Sequence, residues 1–466
     1  MTVAQLDSGS FRDPAGRIYH RDGRVFRTVT QVGAPDFEFV RSTGLVEQLS
    51  SNGSVIPAVL VDRAVLGPEA TDAVYVLEHP RLPFISYPYE WCFAALKAAA
   101  LAHLEIQIKS LECGVTLSDA SAYNIQLVGT KPIFIDYLSF RKYRPGEFWI
   151  GHRQFCMQFL NPLLLRAIIG IPHNNWYRSS PEGINSEDLN RLLPFSSKLS
   201  RNILTHVALL AYLQKVAPKR VAAILDNPLQ DTNFPLKRFL RMLKNLSRWI
   251  ETLKPADTGK SVWRDYSSEN SYVPEEAQRK ADFVSSFVST TKPKLLWDLG
   301  CNTGDYSAVA LQAGVETVIG FDIDHQALDR AFTRARESGL AFLPLYSDST
   351  NPTPSQGWAQ AERKGLQERA PADGLLALAL VHHLAVTNNI PLGHIVSWLT
   401  ALAPCGVIEF VPKSDPMFQR LIRLREDIFS DYTEEKFLNL LGRYAAVVRK
   451  EHLSENGRCL VWYAKN

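Results

Sequence analysis

Chemistry in this chain concentrates in KLLWDLGCNTGDYSAVAL, where an apolar run leads into Asp298-Leu-Gly300-Cys-Asn302-Thr-Gly304 and then into a helical pattern. Glycine removes the Cβ where a backbone must turn sharply and approach a ligand closely, and the helix start that follows presents unpaired N–H groups. A loop of this kind grips a nucleotide-like ligand. The next apolar run, VIGFDIDHQALDRA, ends in Asp322 with Asp324 two residues on. Asp322 lies 24 residues after Asp298, where a carboxylate can accept hydrogen bonds from ribose hydroxyls. A third run ends in YSDST and brings Asp348 to the same sheet edge. An NAD-type dinucleotide loop is the competing reading, but Asp305 and Ser307 follow Gly304 in place of the G-x-G-x-x-G spacing.

Together these residues resemble the class I S-adenosylmethionine-dependent methyltransferases, whose acidic-x-Gly-x-Gly-x-Gly loop is followed by a ribose-binding acid and an adenine-contacting Asp. The resemblance covers about residues 259 to 466, with Asn302 standing at the middle glycine. It implies a Rossmann-like α/β domain with a mostly parallel seven-stranded sheet and S-adenosyl-L-methionine as cofactor. Asp298 and Gly300 would lie under the methionine end, Asn302 and Gly304 would complete the loop, Asp322 would hold the ribose and Asp348 the adenine. In such a fold ligands bind beyond the carboxyl ends of the strands. His382 and His383, which close the run Gly374-Leu-Leu-Ala-Leu-Ala-Leu-Val, therefore fall where an acceptor would meet the methyl group. Two roles stay open for the pair. One imidazole, His383 before His382, takes a proton from an acceptor hydroxyl or protonated amine, or one His caps the strand and packs against the cofactor. No metal is required in this domain. Asn351-Pro352-Thr353-Pro354 reads as a turn, and Glu409 as an exposed carboxylate at the end of the fifth strand.

A second constellation lies in TLSDASAYNIQLVGTKPIFIDYLSF, where Asp119 precedes Asn124 by five residues and Asp136 follows twelve further on. The segment resembles the catalytic lobe of protein-kinase-like and aminoglycoside-phosphotransferase-like enzymes, with PFISYPYEW at 83–91 resembling their hinge. The resemblance implies Asp119 as base and Asn124 and Asp136 as ligands of Mg²⁺ with bound ATP. Several parts depart from it. Leu117 stands at the usual His, Tyr137-Leu138 replaces Phe-Gly, and no glycine-rich phosphate loop is visible. No lysine precedes Lys97, so Arg27 is the substitute on offer for the phosphate-binding lysine, and a guanidinium is not equivalent to an ammonium there. A degenerate module that binds or orients substrate is the favoured reading, and phosphotransfer the alternative.

The elements that must carry these residues follow from the pattern. GRIYHRDGRVFRTV reads as a hairpin around Asp22-Gly23, Glu90 to Cys113 as one long helix, and YNIQLV with PIFIDYLSF as a second hairpin. Residues 150 to 253 read as mainly helical, with Lys237, Arg241, Lys244 and Arg248 as a solvated basic face opposite Leu236, Phe239, Leu240 and Leu243. The chain thus divides into a small β-rich lobe (1–95), a helical lobe (96–258), a polar connection (259–290) and the cofactor-binding α/β domain (291–466). Trp263, Tyr266 and Tyr272 in the connection would fold over the cofactor or pack between domains.

Composition limits the alternatives. Hydrophobic residues at 46% and charged residues at 21% support real cores, and 466 residues suffice for two or three. Lys+Arg of 51 against Asp+Glu of 48 argues against a nucleic-acid-coating protein. The six scattered cysteines point neither to a disulfide framework nor to a zinc site. No signal peptide or membrane span is evident, which reads as a cytoplasmic protein. Along its length, SFRDPAGRIY, LSDASAYNIQ, FIDYLSF, RQFC, LALVHHL and EFVPKSDPM resemble the bacterial nodulation protein NoeA family. That resemblance implies a methyltransferase linked to decorated bacterial oligosaccharides or envelope glycans, with a glycan or small-molecule acceptor. A bifunctional kinase-methyltransferase and a non-catalytic cofactor-binding scaffold are the alternatives.

Overall fold

Asp22 and Gly23, both at positive φ, turn the chain between β2 (Ile18–Arg21) and β3 (Arg24–Thr30), the two-residue hairpin that an Asp-Gly dipeptide favours. With β1 (Gln5–Leu6), β4 (Val59–Val61) and β5 (Ala73–His79) these strands form an antiparallel sheet in the order β1-β2-β3-β5-β4. The computed structural model describes residues 3–216, 234–257, 274–423, 427–453 and 457–465. It divides the chain into two units, Met1–Thr258 with Gly357–Arg363, and Gly259–Gln356 with Lys364–Asn466.

In the first unit the 20-residue helix Phe93–Glu112 buries Leu96, Ala100, Leu104 and Leu111 and stops at Cys113. Two short hairpin-like pairs follow, β6 (Val115–Leu117) with β9 (Phe140–Lys142), and β7 (Ile125–Val128) with β8 (Lys131–Phe134). The helix Leu236–Thr252 lies against Phe93–Glu112. It buries Phe239, Leu243, Leu246 and Ile250 and exposes Lys237, Arg241, Lys244 and Arg248, so its basic face is solvated. Between these helices the chain alternates α- and π-helical turns, with π segments at Cys156–Leu160, Leu165–Ile169 and Leu204–Ala208. Gly357–Arg363 joins this unit because Glu362 pairs with Arg12 and Arg363 lies 3.9 Å over the Tyr123 ring. This corrects the expectation that the cofactor domain takes in all of 291–466, since those seven residues pack elsewhere.

The second unit is built on one sheet of β10 (Leu295–Leu299), β11 (Thr317–Asp322), β12 (Phe342–Tyr346), β13 (Gly374–Ala377), β14 (Cys405–Phe410), β15 (Ala446–His452) and β16 (Cys459–Ala464). Its order is β12-β11-β10-β13-β14-β16-β15. The first five strands pair in parallel, and β16 runs antiparallel to both β14 and β15. The sheet is therefore mixed. The chain between His452 and Cys459 is too short for a crossover, so β15 and β16 can only form a hairpin. β10 and β12 read as continuous apolar runs because both faces of the parallel part are covered. One cover is the helix Pro274–Thr291, which packs on β14 and β16 and buries Phe283, Val284, Phe287 and Val288, with the Phe287 ring 5.5 Å from Trp462 of β16. That helix corrects the reading of 259–290 as connection, since its apolar stripe belongs to the domain core. Trp263, Tyr266 and Tyr272 lie outside the described residues. Among the described residues no helix is long and apolar enough to cross a membrane.

Candidate functional site

The middle strand β10 delivers Asp298, 2% exposed, one residue before its end. Ser307, from the helix Asp305–Gln312, donates its hydroxyl to Asp298 Oδ2 at 2.6 Å. Burial still pushes the Asp298 carboxyl up to about 6. The loop that follows holds Gly300 at φ 78°, Asn302 at 49° and Gly304 at 79°. Asn is one of the few residues that tolerates the left-handed region, so its place at the middle position preserves the loop's path. The two flanking glycines are required for different reasons. A Cβ on Gly304 would run into the Phe342 ring, whereas one on Gly300 would meet nothing nearer than 3.7 Å. Gly304 serves packing, and Gly300 leaves room beside the backbone.

Asp322 closes β11 and accepts the Asn302 N–H at Oδ2 (2.7 Å) and the Asp324 N–H at Oδ1 (2.8 Å), which ties the loop to the next strand. Burial raises its carboxyl, and those backbone donors oppose the rise. Asp324 instead caps a helix, its Oδ1 accepting from Gln326 and Ala327 at the start of His325–Glu337. Asp348 lies two residues beyond β12 and accepts the N–H of Thr350 at 2.8 Å and its hydroxyl at 2.6 Å. Ser347 donates to the Asp322 carbonyl at 2.9 Å, so Asp298, Gly300, Asn302, Gly304, Asp322 and Asp348 gather at one edge of the sheet.

Beyond β13 the chain turns at Ala379, a non-glycine residue at φ 51° whose N–H donates to Glu409 Oε2 at 2.9 Å. The helical segment after it carries His382 and His383, their rings 4.1 Å apart. His382 is 1% exposed, and neither of its ring nitrogens has a hydrogen-bond partner among the described residues. Burial drives His382 well below the usual imidazole range, helped by neighbouring His383, and holds His383 at about 4. Both rings are neutral at pH 7.

Glu409 contradicts its reading as an exposed carboxylate. It is fully buried, 2.6 Å from Lys280 Nζ and 3.5 Å from Arg458 Nη1, while Arg458 also grips Asp415 at 2.6 and 3.0 Å. Two cations and two anions cancel inside the unit, the arrangement that makes buried charge tolerable. Sequence reasoning misses this network because Lys280 falls in a stretch that reads as connection and Arg458 in a turn between two strands. The DPM step at Asp415, a helix N-cap before proline, is the available signal.

In the first unit Asp119, Asn124 and Asp136 do converge. Asn124 Nδ2 donates to Asp119 Oδ2 at 3.2 Å and to Asp136 Oδ2 at 3.4 Å. Burial, then the charge of Asp136, raises the Asp119 carboxyl. Arg27, from β3, binds Asp136 Oδ1 at 2.6 Å, and the Ser139 hydroxyl donates to its other oxygen.

No protein-family model matches the chain. It is 44% identical over 460 residues to nodulation protein NoeA of Rhizobium meliloti, spanning 98% of this chain and 96% of that protein. A ribosomal protein L11 methyltransferase of Escherichia coli is 30% identical over 154 residues, 29% of this chain and 52% of that enzyme. The solved structure of N-methyltransferase NodS from Bradyrhizobium japonicum aligns at 10% identity and a TM-score of 0.30, over 41% of this chain and 98% of its own.

Proposed function

The chain belongs to the nodulation protein NoeA family, and on that premise we propose that it is an S-adenosylmethionine-dependent methyltransferase. The acceptor we propose is a hydroxyl or amine of a bacterial glycan or small molecule. The observation that carries the reading is the left-handed loop Gly300-Cys301-Asn302-Thr303-Gly304 at the end of the middle strand, tied to Asp322 and open at Gly300. The residues fit S-adenosyl-L-methionine. Asp298, buried and reluctant to ionise alone, gains a partner in an α-ammonium group. Asp322 keeps lone pairs for ribose hydroxyls beyond the two backbone N–H groups it already accepts. Asp348, at the same edge, is the adenine contact. The bound cofactor supplies a methyl group on a positively charged sulfur. His383, neutral at pH 7, takes the proton that the acceptor loses, and His382 packs behind it.

Calorimetry with the cofactor tests the binding half: no heat, or an Asp322→Ala protein with unchanged affinity, defeats it. Labelled cofactor incubated with lysate from a strain lacking the protein tests the transfer half, because the labelled product identifies the acceptor class. Cofactor binding with no labelled product leaves a cofactor-binding scaffold.

A second reading, a bifunctional kinase-methyltransferase, is favoured by the convergence of Asp119, Asn124 and Asp136. Against it, Arg27 occupies an Asp136 oxygen that a Mg²⁺ ion with ATP would need. We therefore propose a kinase-like pocket without efficient phosphoryl transfer. Magnesium-dependent ATP consumption that an acceptor stimulates, abolished in Asp119→Asn and Asp136→Asn proteins, overturns this.

A further inference from the structure

Three buried side chains with metal-binding atoms meet among the helices of the first unit, where the spacing of the cysteines points to no zinc site. His152 lies in the helical turn His152–Phe155, and Cys156 follows it at i+4, which puts both on one helix face. His206 arrives from the π-helical segment Leu204–Ala208. His152 Nε2 is 3.0 Å from His206 Nδ1 and 3.7 Å from Cys156 Sγ, and the three ligand atoms lie within 4.8 Å of one another. His152 is 5% exposed, His206 4% and Cys156 fully buried.

A hydrogen-bonded pair of core histidines is the plain alternative, and it leaves a contact unexplained. A neutral imidazole nitrogen carries either one lone pair or one N–H. His152 Nε2 therefore makes one ordinary hydrogen bond, to His206 or to Cys156, although both face it. A single ion between the three satisfies all of them together. A tetrahedral zinc with bonds of about 2.0 Å to nitrogen and about 2.3 Å to sulfur sets its ligand atoms about 3.3 to 3.6 Å apart, close to the two spacings of 3.0 and 3.7 Å that His152 Nε2 makes. Cys156 and His206 both sit in π-helical segments, a distortion that concentrates at functional sites.

We propose that His152, Cys156 and His206 form a transition-metal site that takes Zn²⁺. Two imidazoles and a thiolate suit a borderline-soft ion and disfavour Mg²⁺ and Ca²⁺, which select oxygen ligands. On binding, the Cys156 S–H bond breaks, its proton leaves to solvent, and the sulfur electron pair forms the metal bond. Water completes the fourth position. The ion cross-links the helical run that begins at His152 to the one that carries His206, so its role is to brace this unit.

The test is titration of the metal-stripped full chain with Co²⁺, which reports thiolate ligation by a charge-transfer absorption. One equivalent should bind with that band, Zn²⁺ should displace it and raise Tm, and Mg²⁺ should do neither. Cys156→Ser should abolish the band, and His206→Gln, a second variant should the first fold poorly, should weaken Co²⁺ binding at least tenfold. Glu434, His452 and Cys459 form the other three-residue group with metal-ligand spacing among the described residues, so Cys459→Ser serves as the control and should keep the band. No band in the wild-type chain, a band retained by Cys156→Ser, unchanged affinity in His206→Gln, or a band lost only in Cys459→Ser overturns the proposal.

Discussion

The chain's two acid clusters use the same residue types, but a cation and other side chains press on one of them and backbone N–H groups hold the other. Asp136 is gripped mainly by side chains: Arg27, Asn124 and Ser139 all reach its oxygens, and one backbone N–H, that of Leu138, joins them. Asp322 is held by the backbone N–H groups of Asn302 and Asp324. A guanidinium neutralises a carboxylate and takes the place where another cation would sit. A backbone N–H fixes the carboxylate and leaves its charge and spare lone pairs available. Acids at a motif's spacing therefore say little about whether a site is open. What faces them decides it.

The sharpest way to break this contrast is at the group beside the open cluster. His383→Ala should lower methyl transfer at saturating cofactor by about 10²- to 10⁴-fold, the usual worth of a general base. A loss of under tenfold with weakened cofactor binding would instead assign His383 to packing. Gly304→Ala comes next. It adds a clash with Phe342 to left-handed strain, and should cost about 2 to 5 kcal/mol in urea unfolding of the chain. Gly300→Ala carries the strain alone and should cost about 1 to 2 kcal/mol, while it fills the space left for the cofactor.

Asp322→Ala should weaken cofactor binding by about 1.5 to 3 kcal/mol in calorimetry, the value of a hydrogen bond to a charged group. The corresponding manipulation of the closed cluster works in the other direction. Arg27→Gln removes the guanidinium from Asp136 and should strengthen Mg²⁺-dependent nucleotide binding. If the variant binds nucleotide less well than the wild type, Arg27 stands in for the missing lysine and the contrast between the clusters fails.

Much of the second unit is legible in the sequence because parallel strands buried on both faces announce themselves as apolar runs, and each run here ends near a residue that chemistry singles out. Asp298, Asp322 and Asp348 fall at strand ends for that reason. The helix Pro274–Thr291 is not legible. Its buried face is narrow, and the buried Lys280 has the sequence signature of any solvated lysine. Glu409 fails in the same way, since a strand-end carboxylate reveals its burial only when Lys280 and Arg458 are brought to it. In the first unit the hairpins at Asp22-Gly23 and Gly129-Thr130 are readable from their turn residues, whereas the helices Ala34–Ser42 and Leu45–Ser51 are not. Ala34–Ser42 buries only Ala34 and Val40 and so offers little periodicity to read.

The smallest effect is also the most specific to the open cluster, because it depends on a buried acid whose hydrogen-bond partner is a neutral hydroxyl. Asp298 titrates at about 6 in the fold, above the ordinary aspartate value of 3.8, chiefly through burial. A raised acid pKa means that the folded chain holds its proton more tightly than the unfolded chain. Free of cofactor, the fold should therefore lose stability as pH rises from about 4 to about 6 and level off above. Cofactor affinity should run the opposite way, because an α-ammonium group favours the ionised carboxylate. Calorimetry should find affinity rising about fivefold from about pH 5 to about pH 6, about tenfold by about pH 7, and levelling off there. Asp298→Asn should weaken binding at pH 7 and remove the slope. A slope that survives in Asp298→Asn would move the titration to another group and leave Asp298 as a partner of Ser307 alone.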